Sequence, residues 1–125
     1  MNTLGHILIV DDEPSVVYTL KAILEKVGYR ISSAERMYQV KDALQTQEID
    51  VIICDLGLAD DVKGTDVLED VVKIQPGIGR VLLTGYASPE MIDELEAKGI
   101  SVFNKPVEMS RLLPELRRII EQKAA

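Results

Sequence analysis

The sequence predicts an α/β domain, a single doubly wound parallel sheet made of five βα units. Three observations predict it. Short runs rich in Ile and Val alternate five times with longer amphipathic runs, the pattern of βαβ units. The runs VIIC (51–54) and VLL (81–83) contain no polar side chain beyond the cysteine, as expected of strands covered on both faces. The chain is 125 residues long, 46% hydrophobic and 28% charged, which suits one domain with its own core.

The elements follow in order. His6–Val10 is a first strand. Pro14 suits the opening turn of a helix, where its missing N–H costs nothing. Val16, Val17, Leu20, Ile23, Leu24 and Val27 continue that helix at helical spacing until Gly28. Tyr29–Ser33 is a weaker second strand, and Met37–Gln47 a helix carrying Val40, Ala43 and Leu44. Val51–Cys54 is the third strand. After the loop DLGLADDVKG, residues Val67, Leu68, Val71 and Val72 mark a third helix that ends before QPGIG. Val81–Leu83 is the fourth strand. Ser88 and Pro89 supply an N-cap and a first helical position for the fourth helix, which Gly99 closes. Ile100–Phe103 is the fifth strand. Met109, Leu112, Leu113, Leu116, Ile119 and Ile120 line a last helix. Pro114 lies within that stripe; Ser110 is the expected N-cap, which keeps Pro114 in the first turn, whereas an earlier start predicts a kink.

Right-handed crossovers put helices on both faces only if the strand order reverses once. The common five-strand solution is 2-1-3-4-5, with a switch point between strands one and three, and ligands bind beyond the carboxyl ends there.

Composition narrows the function. A net charge of −7 gives no broad attraction to nucleic acid or anionic lipid, so neither direct nucleic-acid binding nor membrane association is expected. Cys54 stands alone, which excludes an internal disulfide and suits a reducing cytoplasm. No apolar run approaches the roughly 20 residues that span a bilayer, and MNTLGH is no signal peptide.

The chemistry stands at the strand ends. Strand one delivers Asp11 and Asp12, strand three Asp55, strand four Thr84 and strand five Lys105. In the 2-1-3-4-5 order these converge on one rim. Clustered carboxylates repel unless protons or a cation intervene, and an all-oxygen ligand set favours a hard ion such as Mg²⁺. Lys105 and Thr84 suit phosphoryl oxygens. The remaining nucleophile is a carboxylate, so an aspartyl phosphate is the natural product.

The stretches ILIVDDEP, VIICDLGL, VLLTGYA and FNKPV, in this order and at these strand ends, resemble the receiver domains of two-component response regulators over essentially the whole chain, 1–125. The resemblance implies the flavodoxin-like 2-1-3-4-5 sheet. It implies that Asp55 accepts a phosphoryl group from a phosphohistidine on a partner histidine kinase or phosphotransfer protein. Asp12, Asp55 and the Gly57 carbonyl would bind Mg²⁺ directly and Asp11 through a water, with Thr84 and Lys105 on the phosphoryl oxygens, assisted by N–H groups near Gly57 and Gly85. It implies a cis Lys105–Pro106 bond, an output surface on the fourth helix, fifth strand and fifth helix for a downstream effector, and a possible homodimer through that surface. No effector domain is expected within these residues.

Two features depart from the family pattern. Receivers usually carry proline four residues after the acceptor and glycine eight after it. Here Ala59 takes the first place, Gly64 comes nine after, and the loop adds Asp60 and Asp61. Receivers also usually place Tyr or Phe three residues before the lysine, where this chain has Val102 and the aromatic is Phe103. Either the fifth strand is re-registered, or no aromatic faces the threonine, since one residue's offset reverses the side chain's face.

Bland roles suit the remaining residues. Glu13 is a helix-start charge, His6 is structural, and Cys54 packs in the core opposite Asp55. Tyr86 either gates water or packs on the surface. The GIGR of 77–80 precedes a strand and is no phosphate loop. A haloacid-dehalogenase-type phosphohydrolase needs two aspartates separated by one residue and a cap, neither of which is present. A flavodoxin relative needs a phosphate cradle where this chain is acidic. A degenerate receiver acting as a binding module is the third alternative.

Overall fold

The computed structural model describes residues 3–58 and 62–124. Its strands are β1 (His6–Val10), β2 (Arg30–Ala34), β3 (Val51–Asp55), β4 (Gly79–Thr84) and β5 (Ile100–Asn104). Its helices are α1 (Pro14–Val27), α2 (Met37–Thr46), α3 (Gly64–Ile74), α4 (Pro89–Ala97) and α5 (Met109–Ala124). The strands form one sheet in the order β2-β1-β3-β4-β5, and every pairing is parallel.

Strand alternation sorts the core into two layers. Ile7, Ile9, Val51, Ile53, Val81 and Leu83 face Leu20 and Leu24 of α1 and Leu112 and Leu116 of α5. Leu8, Val10, Ile52, Cys54 and Leu82 face Val40 and Leu44 of α2, Val67, Leu68 and Val71 of α3, and Leu95 of α4. Each such aliphatic side chain contributes about 2 kcal/mol by leaving water. Cys54 is fully buried and free, and burial pushes its thiol pKa far up.

Caps set several boundaries. Gly28, at φ 126°, ends α1, and the Gly28 and Tyr29 amides both donate to the Leu24 carbonyl. Tyr29 therefore belongs to the cap, and β2 starts one residue later than its apolar content predicts. Ser88 Oγ accepts the Met91 amide at 3.1 Å, so the predicted N-cap of α4 is in place.

Two sequence expectations are resolved at the end of the chain. The Arg111 and Leu112 amides both donate to the Glu108 carbonyl, so α5 starts at Met109 and Pro114 lies inside it. The expectation of Ser110 as N-cap is thus corrected. Proline inside a helix costs about 3 kcal/mol; Leu112 and Leu116, four residues apart on this helix, are both fully buried. In β5, Val102 pairs with Leu82 and Phe103 with Leu83. Val102 packs with the α2–α3–α4 layer and Phe103 with the α1–α5 layer. The strand is not re-registered, and its aromatic lies on the far face from Val102.

Candidate functional site

The parallel sheet carries every β-strand carboxyl end to one rim, and the register fixes what meets there. Val10 pairs with Cys54, which puts Asp11 beside Asp55. Asp55 pairs with Leu83, and Thr84 with Asn104, which puts Thr84 and Lys105 next along the rim. The Asp11 amide donates to the Ala34 carbonyl at 3.2 Å, and the Lys105 amide to the Thr84 carbonyl at 2.7 Å. The backbone ladder therefore continues one step past the strands and anchors Asp11 and Lys105.

Asp11, Asp12 and Asp55 each present a carboxylate oxygen, and these atoms lie within 4.8 Å of one another. Lys105 Nζ sits 2.6 Å from Asp55 Oδ1 and 3.6 Å from Asp11 Oδ2. Asp11 is buried, with 2% exposure. Its Oδ1 accepts the Glu13 amide at 2.9 Å, but its Oδ2 accepts no hydrogen bond; the Lys105 contact is too long to be one. Burial raises the Asp11 pKa, the Glu13 amide and Lys105 act against that rise, and the Asp55 and Asp12 charges add to it. Burial alone would lower the Lys105 pKa. Its hydrogen bond to Asp55 and the charges of Asp11, Asp55 and Glu13 outweigh burial, so the pKa is raised and the ammonium is secure.

These residues fit a hard divalent cation. The donors are all oxygen, one is a buried carboxylate oxygen that accepts no hydrogen bond, and the single ammonium cannot balance three acids. The Gly57 position is exposed, with nothing within 4 Å of where a Cβ would stand, and the same is true of Gly85. Both glycines leave the rim open to a ligand.

Thr84 is buried on this rim, but its hydroxyl is engaged. Oγ1 donates to the Tyr86 carbonyl at 2.9 Å and accepts from the Tyr86 amide at 3.3 Å. Sequence reasoning missed this reciprocal pair, although a hydroxyl two residues before a loop amide is a known local motif. Tyr86 itself is 75% exposed. The Lys105–Pro106 bond is cis. His6 is structural, with Nε2 2.7 Å from Ser32 Oγ. Ala59, Asp60 and Asp61 lie outside the described residues.

A family model described as the response regulator receiver domain matches residues 7–117. The chain belongs to this family. Among curated relatives, the transcriptional regulatory protein GlrR of Escherichia coli K12 is 29% identical over 121 residues, covering 96% of this chain and 27% of GlrR. The two-component response regulator PprB of Pseudomonas aeruginosa is 33% identical, covering 90% of this chain and 42% of PprB. A crystal structure of a CheY-like receiver domain protein from Methanospirillum hungatei superposes with a TM-score of 0.86 at 29% identity, covering 98% of each chain. The chain thus spans about a quarter to two-fifths of these curated relatives' lengths. GlrR is a transcriptional regulatory protein by name, so the acidity of this receiver is no ground for separating it from nucleic-acid-directed regulation. Receiver domains are signalling modules that take phosphate from histidine kinases. Among the described residues no helix is long and apolar enough to cross a membrane.

Proposed function

We propose that this receiver is a phosphorylation-controlled switch with Asp55 as the acceptor. The observation that carries the reading is the rim itself, three carboxylates within 4.8 Å and an ammonium 2.6 Å from one of them. Asp11, Asp12, Asp55 and the Gly57 carbonyl would hold Mg²⁺, which when bound neutralises charge on phosphoryl oxygens. An Asp55 carboxylate oxygen attacks the phosphorus of a phosphohistidine. The new P–O bond forms as the P–N bond breaks, and the electron pair leaves with the imidazole nitrogen. Lys105 shifts its ammonium from the Asp55 carboxylate to a phosphoryl oxygen. The domain catalyses only its own phosphorylation and dephosphorylation.

Thr84 supplies the coupling. To donate to a phosphoryl oxygen, its hydroxyl must leave the Tyr86 carbonyl, which releases the loop leading to α4. Phosphorylation thereby shifts a population between two arrangements of residues 85–88 and α4. Val102 occupies the β5 position on this face, so the change passes through the loop and α4 without an aromatic from β5. The output surface is α4, β5 and α5, where Arg111, Arg117 and Arg118 are exposed, and it would serve a downstream effector or a second copy.

Intact mass after incubation with acetyl phosphate and Mg²⁺ tests this reading. The parent chain and Cys54→Ala should gain one phosphoryl group, and Asp55→Asn should gain none. A parent mass unchanged by both acetyl phosphate and a kinase donor would instead support a binding module.

A further inference from the structure

We propose that Gly64 is a positioning residue for phosphoryl transfer, because its bare Cα lets the acceptor's own backbone seat against the start of α3. The proposal rests on the phosphoacceptor reading of Asp55. Gly64 is the first residue of α3 and is buried. A Cβ built on it would overlap the Asp55 carbonyl oxygen and come within 3.0 Å of Leu56 Cα. Both are backbone atoms of the acceptor segment, so no rotamer change relieves the clash.

That segment is held from both sides. The Leu56 amide donates to the Leu83 carbonyl of β4 at 2.8 Å, and the Leu56 carbonyl accepts the Gly64 amide at 2.7 Å. Beyond it, Gly57 and Lys63 form an antiparallel bridge, and the Leu58 amide donates to the Val62 carbonyl at 3.1 Å. The Cys54 thiol also reaches the Asp55 carbonyl, at 3.4 Å. A side chain at Gly64 must therefore move Asp55 and Leu56 outward or lift α3 off the sheet. Either shift displaces the carboxylate that lies 2.6 Å from Lys105, together with the Gly57 carbonyl two residues on. A displacement of even 1 Å is costly to in-line transfer. This clamp also makes the nine-residue spacing from Asp55 to Gly64 compatible with an ordered site, because the pairing closes at Leu58 and Val62 and leaves three residues between them for the added length.

Gly79 separates positioning from packing. A Cβ there would overlap Ile119 Cγ2 and approach the Asp50 carbonyl to 3.2 Å, but at the amino-terminal end of β4, away from the rim. Calorimetric Mg²⁺ titration and acetyl phosphate labelling at saturating Mg²⁺ should be compared across the parent, Gly64→Ala and Gly79→Ala. Gly64→Ala should bind Mg²⁺ at least tenfold more weakly and label at least tenfold more slowly. Gly79→Ala should melt earlier with both quantities within twofold of the parent. A folded Gly64→Ala that matches the parent in both overturns the positioning role alone, whereas a parent that neither binds Mg²⁺ nor labels removes the phosphoacceptor reading beneath it. If Gly64→Ala does not fold, amide exchange in the parent decides: Mg²⁺ with beryllofluoride should slow exchange at Gly64 and Leu58 at least tenfold and leave Gly79 unchanged. Unchanged exchange at Gly64 overturns the proposal.

Discussion

The two ends of the sheet both gather charged and polar side chains, yet they satisfy them differently. At the amino ends of the strands, Asp50 accepts the His6 amide at 2.8 Å on one carboxylate oxygen and Lys123 Nζ at 3.4 Å on the other. Gln75 accepts the Ile49 amide at 3.0 Å and donates to the Leu44 and Gln47 carbonyls at 2.8 and 2.7 Å. At the carboxyl ends, one oxygen of buried Asp11 accepts no hydrogen bond, and the Thr84 hydroxyl pairs with its own loop at Tyr86. Filled valences tie elements together, and open ones store the capacity to bind.

That contrast predicts opposite mutational outcomes. The largest is at the amino end, where Gln75→Ala removes hydrogen bonds joining the end of α3 to α2 and to the segment before β3. It should cost about 2–3 kcal/mol at about 1 kcal/mol per bond, read as a lower urea midpoint, with acetyl phosphate labelling unchanged. Loss of labelling would show that the two ends are coupled. At the rim, Asp11→Asn keeps the acceptor for the Glu13 amide while replacing a charged oxygen with a donor. The metal-free protein should gain about 1 kcal/mol in stability near neutral pH, since a buried carboxylate among like charges is relieved. Mg²⁺ affinity should fall about tenfold by calorimetry. A variant that loses stability instead would make Asp11 a structural anchor.

The smallest effect is expected on α5, where Glu115 accepts Ser101 Oγ and Arg118 Nε, each at 2.5 Å. The Arg118 hydrogen bond, opposed by burial and aided by Ser101, holds the Glu115 pKa below its ordinary value of 4.5. A depressed carboxylate pKa stabilises the fold above the unfolded-state value and loses that contribution as pH falls through the folded one. Arg118 is half exposed, so Glu115→Gln should cost only about 0.5 kcal/mol at pH 7. The cost should shrink as pH falls through the depressed folded-state pKa of Glu115, which thermal melts across pH would check.

Much of this was legible in the residues. Apolar runs mark strands one, three, four and five, and the polar residue at the end of each marks the rim; only the second strand, RISSA, carries a weak signal. What escaped depends on tertiary contact. The Pro114 expectation failed because the Glu108 carbonyl takes the first helical amides, a backbone contact that the residue pattern around Pro114 does not show. The face taken by Phe103 needed the β4–β5 register, which spacing alone left open between two solutions. The Thr84–Tyr86 pair and the Gly64 clamp are backbone-level contacts, to which side-chain patterns are blind.

Cys54 has a practical use. Sealed in the core next to the acceptor, its thiol resists thiolate formation and stays out of reach of alkylating dyes. A cysteine introduced at exposed Tyr18 or Tyr38 would then be the one reactive handle, so fluorophores or spin labels can follow switching in an otherwise native chain.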